Sequence, residues 1–180
     1  MDSSTPLEET MGALATAVSS GKALYVGLSN YDGPTLEKAA AILDELHAPF
    51  IINQNRYNIF DRTVENNGLK EASHRLGKGL ITFSPLAQGL LTDRYLNGVP
   101  ADSADAGKLQ QIRDLNDLTA ERGQTLAEMA LAWLLHDGMV TSVLVGASRP
   151  QQLLDNIGAL RNTTFSDEEL RRINEISKLR

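Results

Sequence analysis

Leu80-Ile81-Thr82-Phe83-Ser84-Pro85-Leu86-Ala87-Gln88-Gly89-Leu90-Leu91-Thr92-Asp93-Arg94-Tyr95 is the stretch whose reading sets the fold. It opens as a short apolar run, which predicts a strand buried on both faces. Pro85 stops that strand. The loop beyond it carries Ser84 and Gln88 as polar groups and Gly89 as a point where backbone can come close to a ligand. In α/β proteins, ligands collect at the carboxyl ends of parallel strands. A polar loop at such an end is a candidate site, although the same residues also fit an ordinary strand stop.

The pattern recurs on either side. Thr5-Pro6-Leu7-Glu8 opens a helix, with Thr5 and Glu8 as a capping box and Pro6 in the first turn. Leu7, Met11, Leu14, Ala15 and Val18 make its apolar face, and Gly21 ends it. Ala23–Ser29 reads as a buried strand, with Tyr25 a packing residue inside it, and it delivers Ser29-Asn30-Tyr31 into a loop. Asp32-Gly33-Pro34 starts a helix that turns Leu36, Ala39, Ala40, Leu43 and Leu46 inward. Phe50-Ile51-Ile52 begins the next strand and delivers Asn53-Gln54-Asn55-Arg56-Tyr57. Gly68–Leu76 is a third helix, leading through Gly77-Lys78-Gly79 into the opening stretch.

Beyond Tyr95, the Gly-, Pro-, Asp- and Ala-rich loop Leu96–Gly107 reads as mobile. Lys108–Arg122 and Thr125–His136 are helices broken at Gly123. Thr125 and Glu128 form a second capping box, and Leu126, Met129, Ala130, Trp133 and Leu134 make the buried face. Val140–Val145 is the last strand. Gly146-Ala147-Ser148-Arg149-Pro150 then turns into a helix with Leu153, Ile157 and Leu160 inward. Ser166–Leu179 is a terminal amphipathic helix, capped by Ser166 and Glu169. A helix, four strand–helix units and a final helix define consecutive βα units with a parallel sheet. A complete eight-stranded barrel needs about 250 residues. The fold class is therefore α/β: either a partial (β/α)8 barrel of about four units or an open four-stranded sheet. The 180 residues are read as a single domain.

Composition excludes several classes. Lys plus Arg is 17 against 23 Asp plus Glu, a net charge of −6, so no basic surface points to nucleic acid. No apolar run reaches transmembrane length, and Met1–Pro6 lacks the pattern of a signal peptide, so the expected location is the cytoplasm. Cysteine is absent, which removes disulfides and thiolate metal sites. The Gly77/Gly79 pair precedes a strand and makes no dinucleotide fingerprint, and no P-loop or metalloprotease motif occurs. His47, His74 and His136 fall on helices or helix ends and read as surface residues. Ser148 is a good N-cap and Pro150 a good first-turn residue; Arg149 beside them can add a bidentate donor for phosphate at a helix N-terminus. A plain capped helix start fits the same residues.

Taken in series, Gly27-Leu28-Ser29-Asn30-Tyr31, Asn53-Gln54, Phe83-Ser84-Pro85-Leu86-Ala87-Gln88-Gly89-Leu90-Leu91 and Gly146-Ala147-Ser148-Arg149 resemble the aldo-keto reductases. The branch is that of the bacterial glyceraldehyde 3-phosphate reductases and the potassium-channel β subunits. The resemblance runs over nearly the whole chain. It implies an eight-stranded (β/α) barrel that binds NADP(H) without a Rossmann motif. Ser29, Asn30 and Gln54 would hold the nicotinamide carboxamide, and Phe83 would stack on the ring. Ser84, Leu86, Gln88 and Gly89 would line the pyrophosphate, with Arg94 near the phosphates. Gly146, Ser148, Arg149, Gln152, Asp155 and Asn156 match the segment that holds the adenosine 2′-phosphate and adenine; Gln152 and Asn156, one turn apart, can face one ligand.

The family's acid–base group is a tyrosine assisted by aspartate, lysine and histidine, all from the first half of its barrel. No residue of this sequence matches them, so no catalytic residue and no metal site is assigned. The loop Asn97–Lys108 also looks shortened. The expectation is the C-terminal, NADP(H)-binding half of a carbonyl-reducing enzyme with the pro-R hydride path, inactive alone. Half a barrel leaves strand edges unpaired and one sheet face uncovered. That predicts self-association or a complementary half-barrel, with a small carbonyl substrate only when that half is supplied. A non-catalytic nucleotide-binding or regulatory module and a truncated gene product are the alternatives.

Overall fold

In the computed structural model residues 4–98 and 106–178 are described. The helices are α1 (Leu7–Ser19), α2 (Gly33–Glu45), α3 (Thr63–Asn66), α4 (Leu69–Arg75), α5 (Leu109–Arg122), α6 (Leu126–Leu135), α7 (Pro150–Ile157) and α8 (Asp167–Ser177). The strands β1 (Val26–Ser29), β2 (Phe50–Arg56), β3 (Gly79–Phe83) and β4 (Ser142–Val143) form one sheet in the order β1-β2-β3-β4. The β1–β2 and β2–β3 pairs are parallel. Sequence order equals spatial order, as successive βα crossovers of one hand require. This is the partial barrel of βα units that the sequence predicts.

The described residues divide into two compact units. The first comprises the chain up to Arg56, Arg62–Phe83 and Met139–Ser142. Its helices form where the local signals say. Asp32 caps α2 by accepting the Thr35 amide at 2.8 Å, and Pro34 lies in the first turn. The Thr35 side chain and amide hold the Asp32 carboxyl below its ordinary value. A Cβ at Gly33 would lie 2.6 Å from the Gly68 carbonyl oxygen, so only glycine lets α2 start against that turn. Val26, Leu28, Phe50 and Leu80 are buried on one face of the sheet, with Asn53, Asn55 and Thr82. That face packs against the helices, led by Leu36, Ala39, Leu43, Leu69 and Ala72.

The second unit comprises Tyr57–Asp61, Ser84–Gly138 and the chain from Val143 onward. Its core is built on α6, where Leu126, Met129, Ala130, Trp133 and Leu134 are buried as the spacing predicts, with Leu131 and Ala132. Tyr57 lies 5.3 Å from Trp133. Both predicted capping boxes here are complete, Thr125 with Glu128 and Ser166 with Glu169. Arg122, its side chain 2% exposed, ties the end of α5 to the start of α8. It donates to Glu169 Oε1 at 2.6 Å, to Gln124 Oε1 at 2.9 Å and to the Thr164 carbonyl at 3.0 Å, and stacks 3.7 Å from the Phe165 ring centre.

Several expectations are corrected. The strands are not buried on both faces: β3 alternates half-buried and buried, and Ser29 is exposed where Leu28 is not. The first strand starts at Val26, leaving Leu24 and Tyr25 exposed at 79% and 59%. Apolar character there marks chain that never reaches a strand partner. Asn53–Arg56 belong to β2 rather than to a loop. The last strand is reduced to Ser142–Val143. Pro6, not Thr5, occupies the cap of α1, and it makes no side-chain cap bond. Leu46 is exposed, and so are Leu153, Ile157 and Leu160, at 46%, 52% and 63%. Helical spacing shows that a face is apolar; it does not show that anything covers it. Arg149, not Ser148, is the cap of α7. His136 is not a plain surface residue: half-buried, it stacks 5.9 Å from Trp133 and meets the Phe165 ring edge. Most of the loop read as mobile, residues 99–105, lies outside the described residues.

Burial pulls the Glu169 carboxyl upward, but the Ser166 amide, the Arg122 guanidinium and the Ser166 hydroxyl outweigh it and hold it below the ordinary 4.5. A native value below the unfolded one means stability that is present above the unfolded value and lost as pH falls through the native one. Glu169→Gln is expected to cost about 1–2 kcal/mol at neutral pH and to flatten the acid limb of stability below about pH 4.5. Urea unfolding across pH measures both; an acid limb unchanged from the parent would show that this carboxylate does not set it.

Candidate functional site

The candidate residues fall into two groups, one in each unit. In the first unit Ser29 is the register partner of Gln54, Gln54 of Ile81, and Arg56 of Phe83. Ser29, Gln54 and Phe83 thus share the less buried face of the sheet. Asn30 follows Ser29 directly, with φ +60°. Its amide donates to the Gln54 carbonyl at 3.2 Å and to Asn55 Oδ1 at 2.8 Å. Tyr31, next in line, is buried, and burial pushes its hydroxyl above the ordinary 10.0.

In the second unit the candidates line one cavity of about 940 Å³. Ser84, Leu86, Gln88, Gly89 and Arg94 come from the loop after β3, and Gly146, Ser148, Arg149, Gln152, Asp155 and Asn156 from α7 and the turn before it. All eleven second-unit candidates are therefore at a single cavity, and Ser29, Asn30, Gln54 and Phe83 belong to the other unit. The backbone around the cavity is unusual. Ser84, Ala87 and Gln88 sit at φ +53°, +48° and +56°, left-handed conformations that non-glycine residues adopt at a cost. With Asn30 they make four of the five such non-glycine positions among the described residues. Strain of this kind clusters at ligand-binding turns.

Side chains hold these turns in place. Asn58, buried, donates to the Ser84 carbonyl at 2.9 Å and accepts from the amides of Phe60 and Asp61. The Thr92 hydroxyl donates to the Gly89 carbonyl at 2.7 Å and accepts the Arg94 amide. Arg94 lies over the Tyr95 ring at 5.2 Å. At α7, Gln152 Oε1 accepts from both the amide and the hydroxyl of Ser148, at 2.9 and 3.0 Å.

Chemically, the cavity offers two guanidinium groups, a helix start and a strained backbone turn. Those donors suit an anion with several oxygens, such as a phosphate. Two carboxylates, Asp93 and Asp155, also line it and can accept from hydroxyl or amino groups. Sequence reasoning missed Asn58, Thr92, Asn116, Thr119 and Gln124. The last four line the cavity from the Thr92–Arg94 turn, helix α5 and the α5–α6 connection, and no motif carries them. Asn58 had a signal, a polar residue two positions past a strand. Among the described residues no group of three or more His, Cys, Asp or Glu is placed to hold a metal ion, and no helix is long and apolar enough to cross a membrane.

A four-stranded run of parallel βα units with polar turns after its strands defines part of a (β/α) barrel. The model of the aldo/keto reductase family matches residues 1–178, and the chain belongs to that family. It is 47% identical, over 191 aligned positions, to an L-glyceraldehyde 3-phosphate reductase of Escherichia coli O157:H7, and 46% identical to that of Escherichia coli strain K12. In both cases the match takes in 97% of this chain and 55% of the relative. A crystal structure of a thermostable aldo-keto reductase in complex with the inhibitor epalrestat superposes with a TM-score of 0.76 at 30% identity, over 97% of this chain and 56% of that one. The chain thus spans about half the length of the relatives it matches.

Asn58→Ala removes the donor to Ser84 and the side-chain acceptor of the half-buried Phe60 amide. It is expected to destabilise the chain by about 1–3 kcal/mol and to speed amide exchange through Leu86–Gly89. Urea unfolding with hydrogen exchange checks it; unchanged exchange in that turn would mean that Asn58 does not hold it.

Proposed function

We propose that the second-unit cavity binds the phosphate-bearing adenosine end of NADP(H), with Ser148 and Arg149 at the 2′-phosphate and the Ser84–Gly89 turn and Arg94 at the pyrophosphate. The observation that carries this reading is the convergence of all eleven second-unit candidates on one cavity. Ser29, Asn30, Gln54 and Phe83 serve the nicotinamide. When bound, that cofactor supplies a hydride to a carbonyl, and the resulting alkoxide must be protonated in place. The reading assigns that proton donor to the part of the barrel outside this chain. The chain is then the cofactor-binding half of an aldehyde or ketone reductase, inactive alone and at home in the cytoplasm. The E. coli relatives' named substrate is a small phosphorylated aldehyde, and that class is the first to try with the complete assembly.

The partner in this reading is a complementary half-barrel. Two separate surfaces favour it. In the first unit Leu24 and Tyr25 stand exposed beside β1, and in the second no residue of α7 is buried while Leu153, Leu154 and Ile157 face solvent. Relatives carry nearly as much chain again as this one spans. Self-association can cover the same faces, and a size-exclusion profile tells the two apart.

NADPH fluorescence titration of the purified chain tests the cofactor reading, and saturable binding is expected. Arg149→Glu is expected to weaken NADPH about tenfold or more and NADH much less, because only the former has a 2′-phosphate to lose. Equal weakening would remove the basis for the NADP(H) preference. No binding by a folded, soluble chain would favour a truncated product whose motifs are idle.

A further inference from the structure

We infer that Asn55 is a positioning residue for the nicotinamide-binding turn, holding Asn30 in its left-handed conformation. The inference rests on the cofactor reading above. Asn55 is 5% exposed and is not itself among the candidate cofactor residues. Its side-chain amide bonds the two consecutive residues that follow Ser29. Oδ1 accepts the Asn30 amide at 2.8 Å, and Nδ2 donates to the Tyr31 carbonyl at 3.2 Å. These two backbone groups bracket the torsions of Asn30 and Tyr31, the φ and ψ of Asn30 among them. Holding both from one rigid plane restrains the torsions between them. The task needs an acceptor and a donor on one short neutral group, and among side chains asparagine supplies that combination at this reach.

The network continues inward. Asn53 Nδ2 donates to the same Asn55 oxygen at 2.8 Å. Asn53 and Asn55 are two apart on one strand and so share its buried face. Their register neighbours there include Leu28 and Leu80, both buried. Asn53 Oδ1 meanwhile has no hydrogen-bond partner, although Asn53 is fully buried. An orphaned buried acceptor is a standing cost to stability. Apolar residues at both positions would suit the surrounding leucines better. The chain therefore carries a polar pair that folding alone disfavours. What the pair provides is a fixed Asn30, whose neighbour Ser29 faces Gln54 in register.

The test separates the two ends of the cofactor. NADPH is compared with 2′,5′-ADP, which lacks nicotinamide, on the unaltered chain and on Asn55→Ala. Asn55→Ala is expected to weaken NADPH about tenfold while leaving 2′,5′-ADP within about twofold. A merely structural role would weaken both alike. In the unaltered chain the Asn30 amide is expected to exchange slowly with solvent, a readout that does not depend on the variant folding. Four outcomes overturn the inference with the cofactor reading intact: both ligands weakened alike, neither weakened, NADPH binding no tighter than 2′,5′-ADP to the unaltered chain, or fast exchange at Asn30. Failure of both ligands to bind the unaltered chain overturns the cofactor reading and this inference together.

Discussion

Parallel strand pairing is the constraint on which the rest depends. Parallel strands cannot be joined by tight turns, so each must be followed by a return segment, here mostly helical, long enough to cross back. The strands then all run one way, and their carboxyl ends stand side by side. Within each unit several of the candidate residues lie at or just past such an end: Ser29, Asn30 and Phe83 in the first, Ser84 in the second.

A second rule governs how those ends are finished. The backbone leaves the strands through left-handed turns at Asn30 and Ser84, and in each case a buried asparagine holds the turn. Asn55 grips the first from within β2, and Asn58 grips the second from just beyond it. Two asparagines three residues apart on one segment therefore serve two different strand ends. Loops at binding sites gain precision when rigid elements reach out to fix them.

What the sequence discloses is what depends on near neighbours. Capping at Asp32, Thr125 and Ser166 was legible because a cap and its partner lie three residues apart. The buried face of α6 was legible because nearly the whole helix is enclosed. The resemblance nominated candidate residues through four short motifs in order, and eleven of those candidates line one cavity. The exposure of Leu153, Ile157 and Leu160 was not, because burial is decided by distant chain. Tyr25 misled for the same reason: apolar composition says what could be buried, and tertiary contact decides what is. Asn53 and Asn55 were visible as polar residues in an otherwise strand-like run. Their neighbours at the same face, Leu28 and Leu80, became known only from register.

The Ser84–Gly89 turn also bears on how this chain would respond to selection for robustness. Ala87 has no side-chain group that could compensate for its positive φ. Glycine there would relieve about 1–2 kcal/mol of steric cost, less its own larger chain entropy in the unfolded state. A library screened only for heat tolerance should therefore enrich glycine at position 87. The same change would loosen the wall of the cavity, because a glycine turn samples many shapes where the strained one keeps a single shape. Thermal hardening and the fixed shape of the cavity wall pull on this residue in opposite directions.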